Sequence, residues 1–511
     1  MTNLEGPVFA LTNLPEVVKA ALFARYSRSS KSLRRLLIDE FLDGERELPR
    51  QAGAGEVRAS ELFDRVFFEY GDDSVAQLAG AHLAVEGISN VMTKVLQWGR
   101  LASYLEQSTR YISFAERRAG RYRYHVPTEL AGAPQQEYRL VLDRAFDRYG
   151  ELAERLRAYV ESQVPQTPGT PAAARRRAVN ARALDAVRGL LPAATTANVG
   201  VFASGQAYEA MLLRMRAHPL AEARECAEAM LHELRRVIPS FLTRVDREDR
   251  GGVHSAYLSD IDAAAAELAQ EISPSARLDE ESPTVRLVDF DPDAERRVLA
   301  HALLPHTNQS LARVIAAVDR LGAAERHDAL MRLAGDRSNR RHKPGRALEA
   351  ATYTFEIVCD YGAYRDLQRH RMLSLQVQPL SVDLGYEMPV DVADAECAGD
   401  YAEAQEESAA LFRTLLDARP TVAPYAVTLA HRIRFTLVVN AREAMHLIEL
   451  RSQPQGHEAY RRVAQLMHDQ IANVAGHRAL ADMMRFVDHS TPAAGRLAAE
   501  ARSEGRSSST P

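Results

Sequence analysis

Arg369-His370-Arg371 sets two guanidiniums and an imidazole in one three-residue run. On a helix, residues two apart point about 200° away from each other. In an extended segment they share a side. At the end of a helix such a triplet can present its groups to one flat, anionic ligand, because guanidinium pairs with phosphate and stacks on rings. The plainer alternative is a solvated basic helix end, favoured by the helix dipole. A second run, Glu106-Gln107-Ser108-Thr109-Arg110-Tyr111, can hold a phosphate through backbone N–H groups, the Ser108 hydroxyl and the Arg110 guanidinium. Its plainer alternative is an ordinary turn.

These runs need elements to position them. Ala, Leu, Glu and Arg dominate the chain, and apolar residues return at helical spacing over most of it. Val75–Gln97 reads as one long helix, with Leu78, Leu83, Ile88, Val91 and Val95 on its apolar face. Arg346–Gln368 reads as another, with Leu348, Phe355, Val358 and Leu367. The clearest strand is Val285–Phe290. Gln163–Ala172 is a Pro/Gly/Thr loop, and Asp246–Pro283 mixes charge, Gly and Ser around one helical stretch, Asp260–Ile272.

The chain also repeats itself. Leu96-Gln97-Trp98-Gly99-Arg100-Leu101-Ala102-Ser103 shares Leu, Gln, Arg and Ser, at matching offsets, with Leu367-Gln368-Arg369-His370-Arg371-Met372-Leu373-Ser374. Extended segments follow, reaching Tyr124-His125-Val126-Pro127 and Tyr386-Glu387-Met388-Pro389, and Leu213-Arg214 is echoed by Leu450-Arg451. Two copies of one domain, about 200 residues each, suit the usual domain size. The expected division is a first domain over 1–245, a connector over 246–283, a second domain over 284–488 and a disordered tail over 489–511.

Arg100 to Tyr111 resembles most of the signature of the flavin-dependent thymidylate synthases, Arg-His-Arg-x-x-Ser-x-Asn-Glu-x-Ser-x-Arg-Tyr. The first half has its C-terminal part, with Leu105 in place of Asn and Trp98-Gly99 in place of the opening Arg-His. The second half has Arg369-His370-Arg371 and Ser374 and lacks the rest. Gly71-Asp72-Asp73-Ser74 is similar to the family's Gly-His-x-Ser turn with the His replaced. Val187-Arg188-Gly189-Leu190-Leu191-Pro192 is similar to its Ala-Arg-x-x-Leu-Pro segment, and Asn440-Ala441-Arg442 with Leu450-Arg451 to its Asn-x-Arg and Leu-Arg pair.

The resemblance implies an α/β (α+β) fold: two tandem domains, each a mixed sheet with long helices. It implies conversion of dUMP to dTMP with FAD, NADPH and methylene-tetrahydrofolate, and sites assembled between subunits. Reduced flavin delivers the hydride, so the protein positions and polarises. By the same resemblance Glu106, Gln107, Ser108 and Arg110 hold dUMP, with Ser108 also counted among the catalytic residues. Arg188 contacts its phosphate or uracil, and Arg214 and Arg451 stand at the ring-activating position. Arg369, His370, Arg371, Asn440 and Arg442 match the flavin side, with Arg369 also reaching the nucleotide. Each half lacks what the other keeps. Ala203 and Gly205 stand in place of the flavin-side Asn and Arg, and Val377, Pro379 and Ser381 in place of the nucleotide-side Glu, Ser and Arg. Composite sites are therefore expected, in a homodimer that forms a pseudo-tetramer of four domains. Trp98 reads equally as a plug in a vacated flavin pocket and as a core aromatic. The competing reading is a catalytically degenerate nucleotide- or flavin-binding relative.

Composition narrows the field. The net charge is −5, which argues against a general nucleic-acid binder. No apolar run approaches the ~18 residues of a membrane span, and no signal-peptide pattern opens the chain. Cys226, Cys359 and Cys397 are sparse and far apart, which suits a reducing cytoplasm. His301, His306, His327 and His342 do not make a metal set, so no metal is expected.

Overall fold

A computed structural model describes residues 1–3, 5–27, 29–41, 75–164, 171–273 and 284–490. The Gly71–Ser74 turn and the tail from 491 lie outside the described residues. The chain divides into two compact units. One draws on residues 1–107, 127–129 and 196–276, the other on 108–126, 130–195 and 277–511.

In the first unit, β1 (Gly80–Ser89), β2 (Ala102–Glu106) and β3 (Thr196–Ser204) form a sheet in the order β1-β3-β2. In the second, β4 (Val285–Phe290), β5 (Thr352–Asp360), β6 (Leu373–Val377) and β7 (Arg432–Asn440) run in the order β4-β5-β7-β6. The expected combination of sheets with long helices is present. Every pairing within the two sheets is antiparallel, so the sheets are not mixed in strand direction. The expected strand Val285–Phe290 is β4.

The two expected long helices are corrected to strand–helix pairs. Val75–Gln97 contains β1 and then a helix, Asn90–Leu96; Arg346–Gln368 contains β5 and then a helix, Tyr361–Leu367. The apolar spacing fitted a helix, but Tyr353, Phe355 and Ile357 are buried at a period of two, and the run is β-branched and aromatic. In β1 a bulge between Val85 and Ile88 shifts the burial register, and Gly87 there has φ 71°. That breaks the strict alternation that marks a strand in sequence. Each helix starts on a side-chain cap: Ser89 Oγ accepts from Met92 N–H, and Asp360 Oδ1 from Ala363 N–H.

The core of the second unit rests on long helices. Gly132–Gln163 buries Tyr138, Leu142, Phe146, Tyr149, Leu152, Leu156 and Val160, one apolar stripe. It packs with Ala172–Val187 and with Ala398–Ala418. Residues from both halves of the chain meet here with local two-fold symmetry. Ala193 N–H donates to Val427 O and Leu429 N–H to Leu191 O; Ala194 N–H donates to Tyr425 O and Ala430 N–H to Gly189 O. Pro192 and Thr428 bridge at the centre. Counted back from the starts of β3 and β7, Leu191 matches Val427 and Ala193 matches Leu429, so the pattern maps onto itself, as an isologous interface does. In the first unit, the helix Val253–Ile272 contains the expected Asp260–Ile272 and has no buried residue.

Candidate active site

The Arg369-His370-Arg371 triplet lies between the helix Tyr361–Leu367 and β6. Arg369 and Arg371 are exposed, whereas His370 is buried. Both arginines thus reach solvent, but from the turn that ends the helix, where His370 N–H still donates to Leu367 O, rather than from an extended segment. The imidazole is not offered with them, which corrects that expectation. Arg451 Nε–H donates to His370 Nε2 at 3.0 Å, so that nitrogen is bare. Nδ1 then carries the proton and donates to Glu443 at 2.8 Å. Burial and the neighbouring Arg451 and Lys343 hold the imidazole pKa well below its usual value, in keeping with a neutral ring.

Arg110 stands in the same compact unit. It grips Asp185 with two bonds, of 2.7 and 2.9 Å, and donates to Tyr460 Oη at 3.0 Å and Gln455 O at 3.1 Å. Ser108 Oγ accepts from Arg110 N–H at 3.1 Å, which closes the turn. Arg188 is 3 % exposed, and its buried Nη2 has no hydrogen-bond partner. An unpaired buried donor costs about 1–3 kcal/mol, more when charged. Gly362 makes room for it: a Cβ there would lie 3.0 Å from that nitrogen.

Asp366 ties these groups together. Arg451 lies 3.6 Å and Arg369 3.3 Å from its carboxylate. Burial alone would raise its pKa, but Arg369, Arg451, Arg188 and Arg110 together outweigh burial and hold it below the usual value. Arg451 is depressed by burial, against the pull of Asp366 and Tyr460. Arg369 and Arg451 flank this carboxylate, and the charges of Arg188 and Arg110 from the first half act on it from farther off. Such an arrangement has spare capacity for a phosphate or a flat anionic ring.

The other expected residues are placed differently. Asn440 Oδ1 accepts from Glu443 N–H as a helix cap, and Arg442 Nε donates to Pro344 O at 3.4 Å. In the first unit, Glu106 has a fully buried side chain held by Lys94 Nζ at 2.9 Å and Gln97 Nε2 at 2.9 Å. Gln107, Leu105, Asn198 and Gly200 line a groove of about 400 Å³ with it. Arg214 donates to Val95 O at 2.7 Å, and burial pushes its pKa down to about 10. Trp98 is 39 % exposed, so it is not a core aromatic.

The strand registers also correct one alignment. Ala102 of β2 faces Ala203, and Leu373 of β6 faces Val439. Ser204 therefore matches Asn440 and Gln206 matches Arg442, rather than Ala203 and Gly205. Sequence reasoning missed Asp185, Asp366, Glu443 and Tyr460. Asp366, three residues before Arg369, and Glu443, three after Asn440, had helical spacing as a signal. Asp185 and Tyr460 had none.

The buried histidines set a pH dependence. Burial pushes His446 down to about 4 and His457 to about 3, and His370 follows. An unfolded imidazole titrates near ~6.5. Below that pH the unfolded chain takes up protons that the folded one refuses, so their stabilisation is full above ~6.5 and lost as pH falls toward the folded values. Burial raises Asp360 to about 6 and also raises Glu443, which opposes this trend, but burial likewise lowers His218 and His431 to about 4 and adds to it. Urea midpoints are expected to fall from pH 7 to pH 4.5. A midpoint that stays level or rises would contradict this balance.

The family model described as thymidylate synthase complementing protein matches residues 12–240 and 286–476. A UPF0159 protein of Chlamydia muridarum is 38% identical over 514 residues, covering 98% of this chain and 96% of its own. Another, from Thermoplasma acidophilum, is 30% identical over 511 residues, covering 95% and 98%. The crystal structure of flavin dependent thymidylate synthase ThyX from Helicobacter pylori, complexed with FAD and dUMP, aligns at 18% identity and TM-score 0.30, covering 39% of this chain and 98% of that one. With its two halves both matched, the chain belongs to the thymidylate synthase complementing protein family.

Proposed function

We propose that the protein methylates dUMP to dTMP with FAD, NADPH and methylene-tetrahydrofolate, in a site built within the second unit from both halves of the chain. The observation that carries this reading is the buried Arg188 nitrogen that lacks an acceptor, in a unit where Arg369 and Arg451 flank Asp366 and the charges of Arg188 and Arg110 act on that carboxylate. A nucleotide phosphate supplies such an acceptor. Arg110, Arg188 and the Ser108 turn bind that phosphate. Arg369 and Arg371 hold the anionic, flat cofactor, aided by Asn440 and Arg442. His370 fixes the orientation of Arg451, which polarises the pyrimidine. Bound flavin supplies hydride-transfer chemistry; the chain's own groups bind, orient and polarise.

The reciprocal pairing about Pro192 and Thr428 supports a tandem duplication. The chain then acts as a cytoplasmic homodimer, a pseudo-tetramer of four domains. Among the described residues no helix is long and apolar enough to cross a membrane.

The test is flavin stoichiometry. Protein loaded with excess FAD and desalted should retain about one flavin per chain, with a visible spectrum shifted by dUMP. Arg369→Ala should lose the flavin. Ser108→Ala combined with Arg110→Ala should keep the flavin and lose the dUMP response. No retained flavin in the wild type, or dUMP binding that survives the double change, counts against the proposal. A second reading, a binding protein without turnover, is favoured by Glu106, whose carboxylate is taken up by Lys94 and Gln97. Formation of dTMP separates the two.

A further inference from the structure

The helix Glu458–Asn473 carries His468 and Asp469 on its partly exposed side, and the chain returns past it at His489. One donor atom from each of these three residues lies within 4.8 Å of the others. His468 Nε2 lies 3.1 Å from Ala481 O. A carbonyl only accepts, so Nε2 carries the proton and Nδ1 is left with its lone pair. That lone pair faces His489 Nε2 at 3.2 Å. Two nitrogens on one tetrahedral zinc ion, each ~2.0–2.1 Å from it, stand roughly 3.3–3.4 Å apart.

His489 is held in place by a bracket of other bonds. Arg461 Nη2 donates to Asp488 Oδ1 at 3.2 Å and to Ser490 O at 2.9 Å. Gln465 Nε2 donates to Asp488 O at 2.9 Å. Asp488 N–H donates to Ser452 Oγ at 3.1 Å. Arg461, Gln465 and His468 follow one another along one face of the helix. The backbone on either side of His489 is thus fixed independently of its imidazole, which is brought beside His468. The bond from His468 to Ala481 O is the outer-shell contact that typically orients a ligating histidine and fixes its tautomer.

We propose that His468 Nδ1, His489 Nε2 and the Asp469 carboxylate bind one divalent transition-metal ion of the zinc class, with water in the fourth position. Two imidazoles and a carboxylate suit zinc and its neighbours rather than magnesium or calcium, which prefer all-oxygen sites. The site lies apart from the arginine cluster and does not depend on the flavin reading. Its ion would staple residues 488–490 onto the helix.

The test uses the full chain, stripped with a chelator and titrated with Zn²⁺ alone in a calorimeter. One ion per chain is expected. His468→Ala and His489→Ala should each weaken that event at least about tenfold, the lower range seen even for outer-shell losses. His489 is exposed, so its variant should fold. Asp469→Asn should weaken binding as well, and His232→Ala, at an exposed position in the first unit, should leave it unchanged. Co²⁺ should give visible d–d bands that both histidine variants lose. Three results would overturn the proposal: no zinc uptake, uptake unaffected by His468→Ala and His489→Ala, or loss confined to His446→Ala at the separate His370–Glu443–His446 cluster. Unaltered binding in Asp469→Asn would overturn it as a three-donor site.

Discussion

Arg451→Ala is expected to slow dTMP formation by about 10²–10³-fold, the usual cost of removing one preorganised donor, with retained FAD per chain close to that of the wild type. Arg451 is bonded to a neutral His370, sits near Asp366, and lies with its guanidinium 5.5 Å from the Tyr460 ring centre. Burial lowers its pKa, so its charge is poorly solvated and poised to gain from a polarised ring. Arg451→Lys should recover only part of the rate. A lysine keeps a charge but cannot reproduce the Nε–H bond to His370. The measurement is a single turnover on prereduced flavin with dUMP saturating. A rate within a factor of three of the wild type in Arg451→Ala would remove this residue from the chemical step.

How far the site could be read from the sequence depends on the kind of signal. The position of Arg369 and Arg371 at the end of a helix was legible, because the apolar pattern stops there. The likeness of the two halves, both matched by one family model, was legible because matching offsets recur in both. The strand β5 was not, because Phe355, Val358 and Leu367 also fit a helical period, and only the neighbouring strands decide between the two. Asp185 and Tyr460 were invisible for a related reason. Their bonds to Arg110 span 75 and 350 residues of chain, and no local pattern encodes such a contact. The His468–His489 pair has the same character, since the return of the chain past the helix creates it.

The compact units do not coincide with the two halves, and the symmetric strand pairing explains why. The segment Gly189–Ala194 bonds to Tyr425–Ala430 through its own backbone. Residues 130–195 of the first half are thereby drawn into the second unit, together with Arg110, Asp185 and Arg188. Side-chain pairs reinforce this: Arg182 grips Asp391 at 2.7 and 2.6 Å, whereas Arg155–Asp400 is about half exposed and adds little. Under the proposed function, the half without the Arg-His-Arg triplet would in this way contribute its nucleotide-side groups to the unit that holds the triplet.

Glu449→Gln is expected to destabilise the second unit by about 3–5 kcal/mol, the usual cost of breaking a buried ion pair from one side. Arg337 donates to both Glu449 oxygens, at 2.7 and 2.6 Å, and the two side chains are 3% and 1% exposed. Arg337 also donates to Met483 O at 2.6 Å and to His342 O. Glutamine leaves that guanidinium buried without its counter-charge. Replacing both residues by methionine should cost far less than the sum of the single changes, since no charge is then stranded. The consequence reaches the site. Glu449 lies on the helix Ala441–Arg451, which carries Arg442 and Arg451, and Arg442 is held by Pro344 O in the chain that follows Arg337. Flavin retention should therefore fall with stability in Glu449→Gln and recover in the double methionine variant. Chemical unfolding of the single and double variants, with flavin content measured on the same samples, checks both parts. Additive losses would show that the pair is not the coupled unit its geometry describes.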